Sequence, residues 1–271
     1  MTTIQAFLLA LVQGLTEFLP VSSSGHLVLA EKILGVSGDS FTFILVVHVA
    51  SALAILLFFS KTLVGLTKKL WLPVLIGTIP AVVAGVLFKD ALESLFAGES
   101  LIALGFLITA IGNAGIHFIL KSQVKKELSG ADHAKTASEA YEHEPLKVTW
   151  WQAIVVGIAQ AIAIIPSISR SGATVFAGLV VGLSRKTAFE FSFLLALPAI
   201  GGATLLHLVD ELSATGGLPA DIFALPNLIG FFVSFIVSYL SLGLLKFMMK
   251  EAKFWWFVVY CLLIAVVSVF I

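Results

Sequence analysis

Charge is what this sequence has least of. Only 12% of its 271 residues are Asp, Glu, Lys or Arg, and they balance to a formal net charge of zero. That balance gives no hint of nucleic-acid binding, and no nucleic-acid partner is expected. Arginine occurs only at Arg170 and Arg185. Cysteine is reduced to Cys261, in a C-terminal apolar run, which excludes an intramolecular disulfide and leaves a packed or lipid-facing thiol. No basic stretch precedes the first apolar segment, and Gln13 and Glu17 interrupt it, so a cleaved signal peptide is not expected. What remains is apolar: 59% of the residues are hydrophobic, outside the range of soluble domains, and the class implied is an all-α polytopic membrane protein.

A crossing helix needs about 20 predominantly apolar residues. Residues 41–60, 72–88 and 101–120 qualify, as do 189–209, 225–245 and 254–271. The pieces 27–34 and 173–183 are too short to cross, and the segments before them break at Pro20 and Pro166. The pairs 4–35 and 150–183 therefore read as re-entrant hairpins, which a membrane tolerates where they are buried in protein or line a wet cavity.

The chain also repeats itself. Gln5-Ala6 matches Gln152-Ala153 and Gln13 matches Gln160, both 147 residues on. Phe41 and Phe43 match Phe191 and Phe193 at 150, and Leu72-Pro73-x-Leu-Ile-Gly77 matches Leu225-Pro226-x-Leu-Ile-Gly230 at 153. Residues 1–120 and 150–271 thus form two repeats, each with one re-entrant pair and three spans, joined by a polar connector over 121–149. Three spans is an odd number, so the second copy enters from the opposite face, an inverted-topology repeat with its site near the midplane. Charge agrees with this arrangement. Lys61, Lys68, Lys69, Lys121, Lys125, Lys126, Arg185, Lys186, Lys246, Lys250 and Lys253 fall on one side, which the positive-inside rule makes cytoplasmic. Both termini are then expected outside.

The polar residues of the apolar segments cluster in two places. In Gln13-Gly-Leu-Thr-Glu-Phe-Leu-Pro-Val-Ser-Ser-Ser-Gly-His26, Gln13 and Glu17 share a helix face, and Ser22, Ser23 and Ser24 read as a new helix start after Pro20. An ionisable group at membrane depth costs roughly 2.5–3.5 kcal/mol, so Glu17 reads as functional. A helix start of this kind offers backbone N–H groups to a phosphate. The second stretch, Gln160 through Pro166-Ser-Ile-Ser169-Arg170-Ser171-Gly172-Ala-Thr174, repeats the layout with Arg170 in the place of Ser23. For Arg170, phosphate recognition is weighed against a structural pair with Glu17. Ser171 and Thr174 have the blander reading of satisfying backbone groups, and Glu190 reads as an interfacial acid. His48, His117 and His207 read as lone imidazoles of core or interface, and His133 and His143 as loop residues with no metal spacing.

Together the two stretches resemble the undecaprenyl-diphosphate phosphatase family of the bacitracin-resistance type, over nearly the whole chain. The first motif stands as Gln13-Gly-Leu-Thr-Glu17 followed by Phe-Leu-Pro-Val-Ser-Ser-Ser-Gly-His26. The second stands as Pro166 to Thr174, with Ser167 where the family usually has Gly. The resemblance implies a multi-pass enzyme of the bacterial inner membrane, its site opening to the outer side. Such an enzyme hydrolyses the lipid carrier undecaprenyl diphosphate to the monophosphate and inorganic phosphate, for cell-wall synthesis, and confers bacitracin resistance. On that basis Glu17 and Gln13 are expected to hold Mg²⁺ or Ca²⁺, and Arg170, Ser169, Ser171, Thr174 and Ser24 to bind phosphate. His26 is expected as nucleophile or general base, with Ser23 as the alternative nucleophile; the sequence leaves both open. The partners expected are the polyprenyl substrate and membrane lipid, with a homodimer one of the assemblies left open. A flippase or other secondary transporter would use the same midplane groups and is the rival reading.

Overall fold

The computed structural model describes residues 1–36, 41–64, 68–88, 100–130, 136, 139, 141, 146–215, 217, 219 and 221–271. Among these residues the secondary structure is helical throughout, with no strand. The helices are α1 (Thr3–Thr16), α2 (Ser23–Leu34), α3 (Phe41–Phe58), α4 (Ser60–Val64), α5 (Lys68–Leu87) and α6 (Ser100–Gly130). They continue with α7 (Trp150–Ile162), α8 (Arg170–Val180), α9 (Arg185–Thr215), α10 (Leu225–Lys250) and α11 (Trp255–Val267).

Four of the six expected spans are long and apolar enough to cross a membrane: Leu70–Leu87, Leu101–Lys126, Arg185–Leu206 and Leu225–Lys250. The other two are shorter as helices than as apolar runs, 18 residues for α3 and 13 for α11. The last expected span, 254–271, is shortened because its final residues leave the helix as turns after Val267. The connector expected at 121–149 begins later than its polarity suggests. Residues 121–130 continue α6, because Lys, Gln, Glu and Leu are good helix formers and Gln123 donates to the Leu183 carbonyl at 3.2 Å. Further on, Tyr141 is fully buried, with Arg185 at 5.6 Å and Lys250 at 5.5 Å from its ring centre. His133 and His143, and the side chain of His207, lie outside the described residues.

Of the short helices, α1 and α7 stop shortly before Pro20 and Pro166, and α2 ends at a left-handed Gly35. At 1.5 Å per residue, α1, α2, α7 and α8 span roughly 16–21 Å, well short of a hydrocarbon core about 30 Å thick. Each half opens in the same way. Thr2 and Gln5 form a reciprocal capping box at the start of α1, and Thr149 and Gln152 form one at the start of α7. Gln5 Nε2 then donates to the Leu34 carbonyl at 3.0 Å, and Gln152 Nε2 to the Val181 carbonyl at 2.9 Å, each tying the end of a hairpin back to its start.

The two halves interlock. α1 packs on α10, and α7 packs on α5, so each half's first short helix lies on the other half's second long one. α6 lies against α11, and α3 against α9. Close approach depends on glycine at the α5–α7 crossing: a Cβ on Gly157 would stand 2.2 Å from the Gly77 carbonyl oxygen. Backbone cannot move aside as a side chain can, and contacts of this kind substitute for the hydrophobic effect inside a membrane. Gly157→Ala is therefore expected to destabilise the protein by about 1–3 kcal/mol, read as a lower melting temperature in detergent. An unchanged melt would show that the two helices separate freely. The main core is aromatic beside the site, where Phe18 meets Phe193 edge-on at 5.4 Å and Phe59 stacks on Phe193 at 6.0 Å. Cys261 is completely buried in this core, the packed thiol of the two alternatives.

Candidate active site

Both polar stretches fold as a helix end, an irregular turn and a new helix start. α1 ends at Thr16, with Glu17 as its C-cap, and α2 begins after the cap residue Ser22. α7 ends at Ile162, and α8 begins after the cap residue Ser169, whose Oγ accepts from the Gly172 N–H at 3.2 Å. Aligned on their caps, Ser23 and Arg170 each occupy the first position of a helix.

Glu17 is the hub at which the two stretches meet. Its Oε1 accepts from Arg170 Nη2 at 2.6 Å, and its Oε2 accepts from Ser23 Oγ at 2.6 Å and from Gln13 Nε2 at 3.1 Å. The carboxylate is nearly closed off, its side chain 6% exposed, so these donors replace water. The pair that the sequence weighed against phosphate recognition is thus formed, through one arm of the guanidinium. The other arm, Nη1, is buried and has no hydrogen-bond partner among the described residues; the same holds for Gln13 Oε1. The turns are also stitched directly: Ser171 Oγ donates to the Leu19 carbonyl at 3.2 Å, and the Ser167 N–H to Ser24 Oγ at 3.3 Å.

Other expected residues are placed differently. His26 makes no hydrogen bond to the Glu17 cluster. Its Nδ1 lies 2.7 Å from the Ser22 carbonyl and its Nε2 2.6 Å from the Tyr260 hydroxyl, with the ring stacked on Tyr260 and edge-on to Phe106. Aromatic partners on α6 and α11 draw the imidazole to that side. Ser169 is occupied as a cap and bonds Ser171 Oγ at 3.2 Å, while Thr174 Oγ1 bonds the Arg170 carbonyl and Ser192 Oγ. Glu190 is buried and accepts from Thr62 at 3.4 Å. His117 is packed against Trp255, as a lone core imidazole would be.

Sequence reasoning missed His48. Its Nε2 faces Glu17 Oε2 at 3.9 Å, while its Nδ1 sits 2.8 Å from the Ile44 carbonyl one turn back. Nothing in an isolated imidazole on an apolar helix marks it; only the packing of α3 against α1 does. Gln160, the counterpart of Gln13, is buried, and neither side-chain polar atom has a hydrogen-bond partner among the described residues; Ile164 stands where a counterpart of Glu17 would be.

One motif position is explained by backbone. Ser167 has φ +64°, the left-handed conformation that glycine adopts without strain. Its Oγ is buried without a partner, and its side chain fits only because Gly25 and Gly105 carry no Cβ: those atoms would come within 2.6 and 2.5 Å of it. Ser167→Gly removes both the strain and the unpaired hydroxyl, and is expected to stabilise by about 1 kcal/mol, read as a higher melting temperature. A fall would mean that the hydroxyl's packing outweighs its cost.

The profile described as "Bacitracin resistance protein BacA" matches residues 6–267. The chain belongs to the BacA family. Its similarity to an undecaprenyl-diphosphatase of Carboxydothermus hydrogenoformans is 38% identity, covering 98% of this chain and 96% of that one. Undecaprenyl-diphosphatase 2 of Bacillus thuringiensis is 36% identical, covering 96% and 94%. An undecaprenyl-diphosphatase of a Sulfurovum species is also 36% identical, covering 96% and 95%. Family and geometry coincide at one place, since the two motifs that carry the resemblance are the two turns joined at Glu17.

Proposed function

We propose that the protein hydrolyses undecaprenyl diphosphate to undecaprenyl phosphate and inorganic phosphate, returning the lipid carrier to cell-wall synthesis and lowering sensitivity to bacitracin. The observation that carries this reading is the Glu17 hub, which joins the family's two motifs in one constellation. None of the relatives named above is described as a transporter, and the flippase reading is not favoured by any contact.

Ser23 is favoured over His26 as nucleophile. The Ser23 hydroxyl already donates to Glu17, so its proton has a place to go, whereas both ring nitrogens of His26 are engaged elsewhere. Ser23 Oγ attacks the terminal phosphorus in line, passing its proton to the Glu17 carboxylate. The anhydride P–O bond breaks and polyprenyl phosphate leaves; water then cleaves the phosphoserine, releasing inorganic phosphate and restoring Ser23. Arg170 stays tied to Glu17 by Nη2 and offers Nη1 to the phosphoryl oxygens, where charge accumulates in the transition state. Ser24 and the uncapped N–H groups of the two helix starts are assigned to the same anion.

The donor set also suits a hard divalent cation, Mg²⁺ or Ca²⁺. Glu17 supplies a carboxylate and Gln13 a buried, unbonded Oε1. No group of three or more His, Cys, Asp or Glu side chains is close enough to hold a metal among the described residues. The residues therefore match a cation held by one carboxylate together with substrate phosphates, the habit of Mg²⁺. Such a cation would neutralise charge on the non-bridging oxygens.

Around this site we read two inverted repeats, each with a re-entrant pair. The exchange of partners between α1·α10 and α7·α5, and the matched capping boxes, support it. The lysine-rich ends of α6 and α10 then face the cytoplasm of a bacterial inner membrane, and the site opens outward. The decisive experiment measures phosphate release from a polyprenyl diphosphate by purified protein in detergent, with chelation and metal add-back. No release without a gradient would overturn the phosphatase reading, and release indifferent to chelation would overturn the cation.

A further inference from the structure

The turns that carry Glu17, Ser23 and Arg170 have irregular backbone, and irregular backbone at membrane depth must find its hydrogen bonds elsewhere. Much of that support comes from one stripe of α6. Gly105, Thr109 and Asn113 are spaced four residues apart and share a helix face. At Gly105 the second turn presses directly on the helix, and an added Cβ would meet the Pro166 carbonyl oxygen at 2.6 Å. One turn on, Thr109 Oγ1 both donates to the Ser167 carbonyl at 3.2 Å and accepts from the Ser169 N–H at 3.0 Å. A further turn on, Asn113 Nδ2 donates to the Pro20 carbonyl at 2.6 Å, with Cys261 Sγ at 3.7 Å beside it. Thr109 is 5% exposed and Asn113 wholly buried.

The placement of these bonds matters more than their number. Ser169 is the residue before Arg170, and Pro20 lies three residues from Glu17 on one side and three from Ser23 on the other. One continuous helix thus grips both turns, each next to the group it delivers. The 2.6 Å contacts Glu17–Arg170 and Glu17–Ser23 depend on the two turns keeping their relative position. We propose that Thr109 and Asn113 are positioning residues for the diphosphatase reaction, with α6 acting as the ruler that sets Arg170 against Glu17 and Ser23. Neither is assigned to the reacting atoms. The inference rests on the phosphatase reading given above.

The two act on different groups, which separates positioning from ordinary packing. Thr109→Val keeps the shape of the side chain but removes a donor and an acceptor, freeing the turn before Arg170. Misplacement by about an ångström can cost on the order of 100-fold, so a loss of at least about 10-fold in kcat/KM per folded molecule is expected. Thr109→Ser restores the hydroxyl and is expected to recover activity to within about threefold. The loss should also overlap with that of Arg170→Lys, because a displaced turn has already spoiled what Arg170 does; combined with Gly157→Ala, a packing change elsewhere, it should add. Should Thr109→Val fail to accumulate, Asn113→Gln, which moves the amide by one methylene, is expected to lose activity that overlaps with Glu17→Gln instead. Folded Thr109→Val or Asn113→Gln with wild-type kcat/KM, or losses that add fully to those of Arg170→Lys and Glu17→Gln, would overturn the inference. Such a result leaves the phosphatase reading intact, whereas wild-type protein that releases no phosphate removes that reading first.

Discussion

Glu17→Gln is expected to lower kcat by at least about 100-fold, the scale of losing a charged group aimed at the reacting centre. Glutamine keeps the size of the side chain and can still accept from Ser23. It supplies neither the negative charge that answers Arg170 nor a base for the Ser23 proton. Because Arg170 Nη2 lies 2.6 Å from the carboxylate, stability should suffer as well. Removing one member of a largely buried pair strands the other, whereas removing both is close to neutral. The arginine side chain is 16% exposed, so water offsets part of that penalty. The expected pattern is therefore split. Glu17→Gln lowers both turnover and melting temperature, and adding Arg170→Ala restores the melt but not the turnover. Purified variants measured side by side would decide it, and near-normal turnover in Glu17→Gln would reduce Glu17 to a structural acid.

Arg170→Lys carries the second large effect. The guanidinium has two duties that need two arms: Nη2 is spent on Glu17, and Nη1 is buried with no hydrogen-bond partner among the described residues. An ammonium on a shorter, unforked head retains the charge but cannot hold the carboxylate and a phosphoryl oxygen together. The expected loss is about 1.5–3 kcal/mol in kcat/KM, the range for a charged hydrogen bond forgone. Most of it should lie in kcat if Nη1 meets charge that develops in the transition state, and in KM if it only grips substrate. Full activity in Arg170→Lys would show that a point charge suffices and would remove the forked contact from the mechanism. The two variants read different atoms of one constellation, so their combination should fall short of the sum of the separate losses.

Several features of the site and its setting are visible in the chain alone. Composition placed the protein in a membrane, because a chain with 59% hydrophobic residues has nowhere else to hide them. Pro20 and Pro166 marked the helix breaks, since each stands beside a serine-rich helix start, whereas Pro73, Pro80 and Pro198 lie inside helices that continue past them. The Ser-x-Ser-Gly starts and the lone Arg170 marked the polar site, because caps and charges are local chemistry and expensive in an apolar setting. The internal sequence matches, such as Gln5-Ala6 with Gln152-Ala153, were also visible, since they need only an alignment of the chain with itself.

Contacts between distant segments were not legible, and they decide how the site is wired. Glu17 and Arg170 are 153 residues apart, and their contact follows from how α1, α8 and their neighbours pack. His48 gave no signal, for an imidazole on an apolar helix is the same residue whether it faces lipid or a carboxylate. His26 carried every local mark of a site residue, yet its ring is held by Tyr260, 234 residues on, which no spacing rule foretells. Thr109 and Asn113 look like minor polar interruptions of a span; only the tertiary structure brings them under the two turns. The sequence by itself determined the medium, the helix breaks and the kinds of group available, because these follow from local free energies of transfer and backbone geometry. Which groups meet was decided by tertiary packing, where close-packed surfaces allow one set of partners and satisfy each buried carbonyl with a donor brought from far along the chain.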